Sequence, residues 1–220
     1  AFRTTANTLD DYDLAARMIL DGHRIQFVPS FRVEHRKSTI GRDFTRIARN
    51  LVRNNCRVAS RYAPDSRRWP EIRSHLARYA HIARKEGALL GYAKGVFDLV
   101  LHRDSKQRTT MSQAQWDRFT GAEACRTHLA AVFANARPRR VAVVDEGRNA
   151  GVLREILREL QAPFCYDLVN SREQADLVVI GTLSPGPMLD AMDRHDRPQD
   201  VPTVMPWCPM SSAAVATRAA

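Results

Sequence analysis

The sequence predicts an α/β protein made of two units, a basic helical first half and a small parallel-sheet domain in the second. Three observations carry this. Between residues 10 and 102 apolar side chains recur at helical spacing, interrupted only near Pro29 and Pro64. From 137 to 208 short β-branched runs alternate with amphipathic segments, the pattern of parallel strands joined by crossover helices. Charge divides in the same way. Residues 1–110 hold 22 Lys and Arg against 11 Asp and Glu, a net +11, whereas residues 111–220 hold 12 against 13.

The first helix is expected from Asp10 to about Asp21, with Leu14, Met18 and Ile19 on one side and Gly22 as its C-terminal cap. "RIQFVP" and "FRVEH" then read as two short extended segments separated by Pro29-Ser30. A longer helix covers roughly 42–62 and carries two stripes. Phe44, Ile47, Leu51, Val58 and Tyr62 form an apolar one; Arg42, Arg46, Arg49, Arg53, Arg57 and Arg61 form a basic one. Pro64 and "PDSRRWP" are expected to end it. A third helical stretch, about 71–102, contains Gly87, Gly91 and Gly95, which weaken the case for an unbroken rod.

"HRDSKQRTTMSQ" has no apolar periodicity and marks a boundary near 110. Residues 111–136 read as a helical linker and 137–208 as a Rossmann-like α/β domain. Its strands are expected in "RRVAVVDEG", "FCYDLV", "ADLVVIG" and "VPTVMPW", and its helices in "AGVLREILREL" and "GPMLDAMDRH". Residues 209–220 read as a loose tail.

Composition narrows the function classes. No apolar run approaches the roughly 20 residues needed to cross a bilayer, and "AFRTTANTLDDYD" has neither the basic nor the apolar region of a signal peptide. Cys56, Cys125, Cys165 and Cys208 form no Cys-x-x-Cys pair, which argues against a structural zinc site and a disulfide framework. A reduced, cytoplasmic setting is expected, peripheral to the inner membrane face if the basic half meets lipid. Ala1 in place of Met fits a processed chain or a portion of a longer one.

Asp10, Asp11 and Asp13 admit two readings. Acidic residues favour a helix N-terminus, and Thr8 with Asp11 three residues on makes a capping-box-like pair. The alternative is an active site. The ordered series Asp10-Asp11, Asp13-Leu14, Arg17, Gly22, Ile25, Pro29, Val33 and His35, followed by "RNN" at 53–55, resembles the C-terminal half of the catalytic domain in family 2 glycosyltransferases of the GT-A fold. The likeness covers about residues 1–100; Asp10 stands where Glu is usual. The two readings are compatible, because a helix start can present a catalytic carboxylate.

The resemblance implies a partial GT-A domain with trailing basic helices over 1–110. It implies an inverting transfer of sugar from a nucleotide-sugar donor to a hydroxyl of a glycan or lipid-linked acceptor, in cell-surface polysaccharide synthesis. Asp11 would be the general base. Asp10 and Arg53 would bind acceptor, Asp13 would be structural, and His35 would lie by a divalent metal ion, Mg or Mn, of the complete enzyme; a structural histidine is the plain alternative. The family's donor site and its Asp-x-Asp motif belong to an N-terminal half that is not in this segment. Asp11-Tyr12-Asp13 spells the motif but opens a helix. The segment is therefore expected to be a C-terminal portion that binds donor poorly alone.

The arginine stripe from Arg42 to Arg61 reads either as a solvated basic face or as a contact for an anionic membrane surface or substrate phosphates. Nucleic acid is the weaker partner, since no recognition motif accompanies the charge. In the second unit "VVDEGRNAG" is reminiscent of a phosphate loop, but Asp145 replaces the first glycine and Glu146 would repel a pyrophosphate. No cofactor-binding residues follow from it. The competing class for the whole chain is a non-catalytic module that docks on a membrane or partner, with a Rossmann-like ligand-binding domain.

Overall fold

The computed structural model describes residues 10–25, 43–101, 108–147, 149–195 and 201–207. Nearly all of the two expected extended segments, with Pro29, Val33 and His35, lies outside these residues, as do Arg42, Cys208 and the tail. The described chain is α/β, mostly helical, with one small parallel sheet of four strands. It divides into two compact units at Phe119–Thr120.

The described part of the first unit is helical. α1 (Asp10–Leu20) closes as the sequence predicts. Gly22 takes φ +83°, and the His23 and Gly22 amides bond back to the Met18 and Ile19 carbonyls. α2 (Phe44–Tyr62) starts at Asp43, whose carboxylate accepts the Arg46 amide, and stops before Pro64. The segment expected to end α2 also starts the next helix. α3 (Asp65–Lys85) begins immediately after Pro64 and accommodates Pro70. The helical stretch expected over 71–102, whose glycines weaken the case for an unbroken rod, divides in two, because Gly87 at φ +65° caps α3 before α4 (Leu89–Leu101) begins.

Packing of α2 departs from the expected apolar stripe. Phe44 and Ile47 are exposed; the buried face is Ala48, Val52, Asn55, Cys56, Ala59 and Tyr62. The reason lies in α4. Gly91 lies against the backbone of Thr45, and Gly95 against Arg49 and Val52, so the two helices run parallel in near-backbone contact. A Cβ added at Gly91 would stand 2.0 Å from the Thr45 carbonyl oxygen, and one at Gly95 would stand 2.5 Å from that of Arg49. Such an approach admits only small residues at the crossing. α5 (Gln113–Thr120) closes the unit. Ser112 and Gln115 form a reciprocal capping box, and Met111 and Trp116 pack with Ala16, Ile19 and Tyr62. Arg108 donates to the Ser60 and Ala63 carbonyls at the end of α2.

In the second unit α6 (Ala122–Ala136) follows Gly121 at φ +82°, which separates it from α5 where one helix is expected. β1 (Arg140–Val144), β2 (Asp167–Val169), β3 (Leu177–Ile180) and β4 (Thr203–Val204) pair in the order β2-β1-β3-β4, all parallel. β2 is shorter than "FCYDLV" suggests, because Phe164 ends α7 (Ala150–Phe164) and Cys165 turns left-handed at φ +52°. Alternation along the strands splits the core. Val141, Leu177 and Val179 meet Leu129, Phe133, Leu153 and Leu157 of α6 and α7. On the other side Ile180 meets Met188 and Ala191 of α8 (Pro185–His195).

Two outcomes follow from this packing. Gly91→Ala or Gly95→Ala should destabilise the first unit by about 1–3 kcal/mol through overpacking, read as a lower denaturant midpoint. In the second unit, burial holds the His128 imidazole below its ordinary value of 6.5. The unfolded chain then binds more protons than the native one just below that value. The associated stability is complete above about pH 6.5 and is lost as pH falls from there toward the lowered folded value. His128→Gln should flatten the fall in melting temperature between neutral and mildly acid pH; an unchanged slope would refute the assignment.

Candidate functional site

α1 brings the three aspartates into its first turn, and the fold treats them differently. Asp11 is exposed. Asp13 is half-buried and held by three partners. The Tyr62 hydroxyl donates to its Oδ1 at 2.6 Å, Arg61 Nη1 donates to the same oxygen at 3.1 Å, and Arg17 Nε lies 3.2 Å from Oδ2. Asp13 thus ties the start of α1 to the end of α2. Burial, and then the Asp13 carboxylate, raises the Tyr62 hydroxyl above its ordinary pKa, so it remains a donor to that carboxylate. Asp10 opens the same helix.

Arg53 has a separate environment. Its guanidinium donates to Asn54 Oδ1 at 2.9 Å and to Asn50 Oδ1 at 3.0 Å, and lies 3.6 Å from Asp98 of α4. Asp98 is 7% exposed and also receives both arms of Arg49, at 2.7 and 2.9 Å. Burial and then repulsion from Arg57 lower the Arg53 pKa, while the hydrogen bond from Arg49 to Asp98 raises that of Arg49. Asn55, the last residue of "RNN", donates to the Leu51 carbonyl.

The basic stripe is therefore divided. Arg49 and Arg53 pair with Asp98, Arg61 pairs with Asp13, and Arg57 is half-buried with no partner for its Nε among the described residues. Arg46 lies exposed at the entry to α2. No spacing rule in the sequence connects Arg49 and Arg53 to Asp98, some 45 residues away.

Among the described residues no three His, Cys, Asp or Glu side chains converge as metal ligands; His35 lies outside them. Cys56 and Cys125 are buried, and burial pushes both thiols up to about 12, so neither is a thiolate nucleophile near neutral pH.

In the second unit the loop after β1 carries the residues that the sequence singles out. Asp145 adopts φ +52° and accepts from His195 Nε2 and Arg194 Nη2, both at 3.0 Å. Arg172 lies 2.8 Å from His195 Nδ1. A guanidinium only donates, so Nδ1 is the accepting nitrogen in this contact and Nε2 faces Asp145. Both ring nitrogens are thereby used within the protein. Glu146 pairs with Arg154. The Gly147 amide donates to the Gly181 carbonyl at 3.0 Å, and a Cβ on Gly147 would meet Thr182 at 2.8 Å. The glycines serve loop-on-loop packing between β1 and β3, the strand pair where such sheets often admit a ligand.

Compared with protein-family models, curated proteins and solved structures, the chain matches none.

The different fixation of the aspartates gives a measurable contrast. Asp13→Ala should cost about 1–3 kcal/mol, because it removes the acceptor of the buried Tyr62 hydroxyl. Asp11→Ala should change stability by less than about 0.5 kcal/mol, as exposed positions do. Urea unfolding of both variants checks this.

Proposed function

We propose that the first unit is the acceptor-side portion of an inverting glycosyltransferase of the family 2, GT-A type. It would act with a donor-binding half of the kind such enzymes carry before this segment. The observation that carries the reading is the division of labour within one helical turn. Asp13 is anchored to Tyr62 and Arg61, while Asp11, in the ordered series that resembles the family, is exposed. A base must be ionised, reachable and held on a rigid element. Asp11 is reachable and stands on α1, which Asp13 ties to the end of α2.

In the proposed reaction Asp11 takes the proton from an acceptor hydroxyl as its oxygen attacks the anomeric carbon. The new glycosidic C–O bond forms on one face of the sugar while the bond to the nucleoside-diphosphate oxygen breaks on the other. The electron pair leaves with the diphosphate. Asp10, one residue before, orients the acceptor. Arg53 is engaged by Asp98, Asn50 and Asn54, which supports a part in shaping the acceptor side over a freely moving anion clamp. A divalent ion would supply charge neutralisation for the leaving diphosphate. The second unit is read as an accessory docking domain, because the loop after β1 is packed on Thr182 and carries Asp145 and Glu146.

The test is Asp11→Asn in the chain joined to its donor-binding half, with a nucleotide-sugar donor and a lipid-linked or glycan acceptor. Transfer should fall by about 10³-fold or more, as loss of an essential base predicts, with the melting temperature unchanged. Turnover retained in the variant would remove Asp11 from the reaction. Absence of transfer in the parent protein would favour the non-catalytic docking module.

A further inference from the structure

The side of α2 away from its buried residues carries a group of donors with too few acceptors. At 100° per residue, Asn50, Arg53, Asn54 and Arg57 fall on one side of the helix, opposite the buried Ala48, Val52 and Ala59. All four are half-buried. Arg53 spends its guanidinium within the group, Nε donating to Asn54 Oδ1 at 2.9 Å and Nη2 to Asn50 Oδ1 at 3.0 Å. A carboxamide accepts through its oxygen, so these bonds fix both amides and leave each Nδ2 as a donor. Neither Nδ2 bonds to a described residue. Arg57, one turn after Arg53, has no hydrogen bond or ion pair with any described residue. Its Nε is buried and its Nη groups are not, so the guanidinium is held by its stem with the Nη edge outward. Asp98 is already spent, because Arg49 takes both of its oxygens and Arg53 lies 3.6 Å from one of them. Three guanidiniums on this stretch of α2 are therefore set against one carboxylate among the described residues, a local excess of two positive charges.

We infer that Arg57 and the side-chain amides of Asn50 and Asn54 bind a phosphate dianion, free or as a monoester. The unspent groups are donors alone, so the ligand must accept hydrogen bonds. A dianion offsets the excess of two charges, whereas one carboxylate would leave half of it. The planar edge of a guanidinium meets two oxygens of a tetrahedral phosphate at once, through charge-assisted bonds roughly twice as strong as neutral ones. Burial and then repulsion from Arg57 lower the Arg53 pKa, and an anion at Arg57 relieves that repulsion. A nucleic-acid backbone would need a row of free cations. Arg49, Arg53 and Arg61 of the same helix are held by Asp98 and Asp13, so Arg57 serves a single phosphate. The anion contact read from the arginine stripe thus narrows to Arg57, with Arg53 as the fixed residue that orients the two amides. This inference does not rest on the role of Asp11.

The experiment is calorimetric titration of the 220-residue chain with inorganic phosphate, glycerol 3-phosphate and acetate. It is run at low salt and about pH 8, where a phosphate monoester is a dianion. Both phosphates should bind, and acetate should not. Arg57→Gln should weaken phosphate binding about ten-fold or more. Arg46→Gln, at the exposed entry to the same helix, should leave it unchanged. Tighter binding of the ester assigns the site to a phosphorylated molecule, and equal binding assigns it to phosphate itself. Circular dichroism checks the fold of each variant. If Arg57→Gln fails to fold, Arg57→Lys, which keeps the charge and loses the planar fork, should show a loss in the same direction. Wild-type protein that binds neither phosphate, or a folded Arg57 variant that binds as well as wild type, would overturn the inference. So would an equal loss in Arg46→Gln, which would reduce the effect to general positive charge.

Discussion

The near-backbone contact of α2 with α4 is the constraint on which the first unit depends. Gly91 and Gly95 leave no room for a Cβ, so Thr45, Arg49 and Val52 approach to a distance that only glycine permits. Three features follow. The buried side of α2 is its small-residue side. Asp98 is carried into the interface, where an unpaired carboxylate would cost several kcal/mol, and Arg49 and Arg53 are drawn in to meet it. One apolar side of α4 is turned to the outside, while Tyr92, Val96 and Leu99 pack inward. An exposed leucine or valine forgoes about 1.5–3 kcal/mol of burial, and five large apolar residues do so here. The close backbone contact and the pairing of Asp98 fix that orientation of α4.

The same helix α2 organises the candidate active site at its other end. Tyr62 is the last residue of α2 and packs with Ala16, Ile19 and Trp116 while its hydroxyl reaches Asp13. Hydrophobic packing and a charge-assisted hydrogen bond therefore act on one side chain, and both orient α1. The first turn of α1 then presents Asp11 at a fixed place with little contact of its own. Asp13 is anchored by its partners, and Asp11, two residues away, is left exposed.

The second unit uses glycine differently. A parallel sheet leaves a crevice between β1 and β3, where the chain turns to opposite sides. In this protein Gly147 and Gly181 let the two loops press together, and Asp145, His195 and Arg172 form a chain of contacts in which each polar group has a partner. A loop that resembles a phosphate cradle in its glycine spacing is closed by its own side chains.

Local chemistry was legible from the sequence because its causes are local. Capping at Gly22, the stop at Pro64, the alternation of strands with helices after 137 and the clustering of aspartates at a helix start all depend on residues within a turn or two of one another. Leu14 to Ile19 announced α1, and Val141 to Val144 announced β1. The breaks at Gly87 and Gly121 were harder to read, since an isolated glycine is also tolerated within helices. What only the tertiary structure decided is which groups meet across long separations: Asp98 with Arg49 and Arg53, Tyr62 with Asp13, His195 with Asp145. Periodicity places a residue on a face of its own helix but does not say which neighbour that face meets. The apolar stripe read on α2 therefore included residues left exposed, and the inverted side of α4 went unread, because close contact between two backbones overruled the ordinary preference for burying the larger apolar side chains.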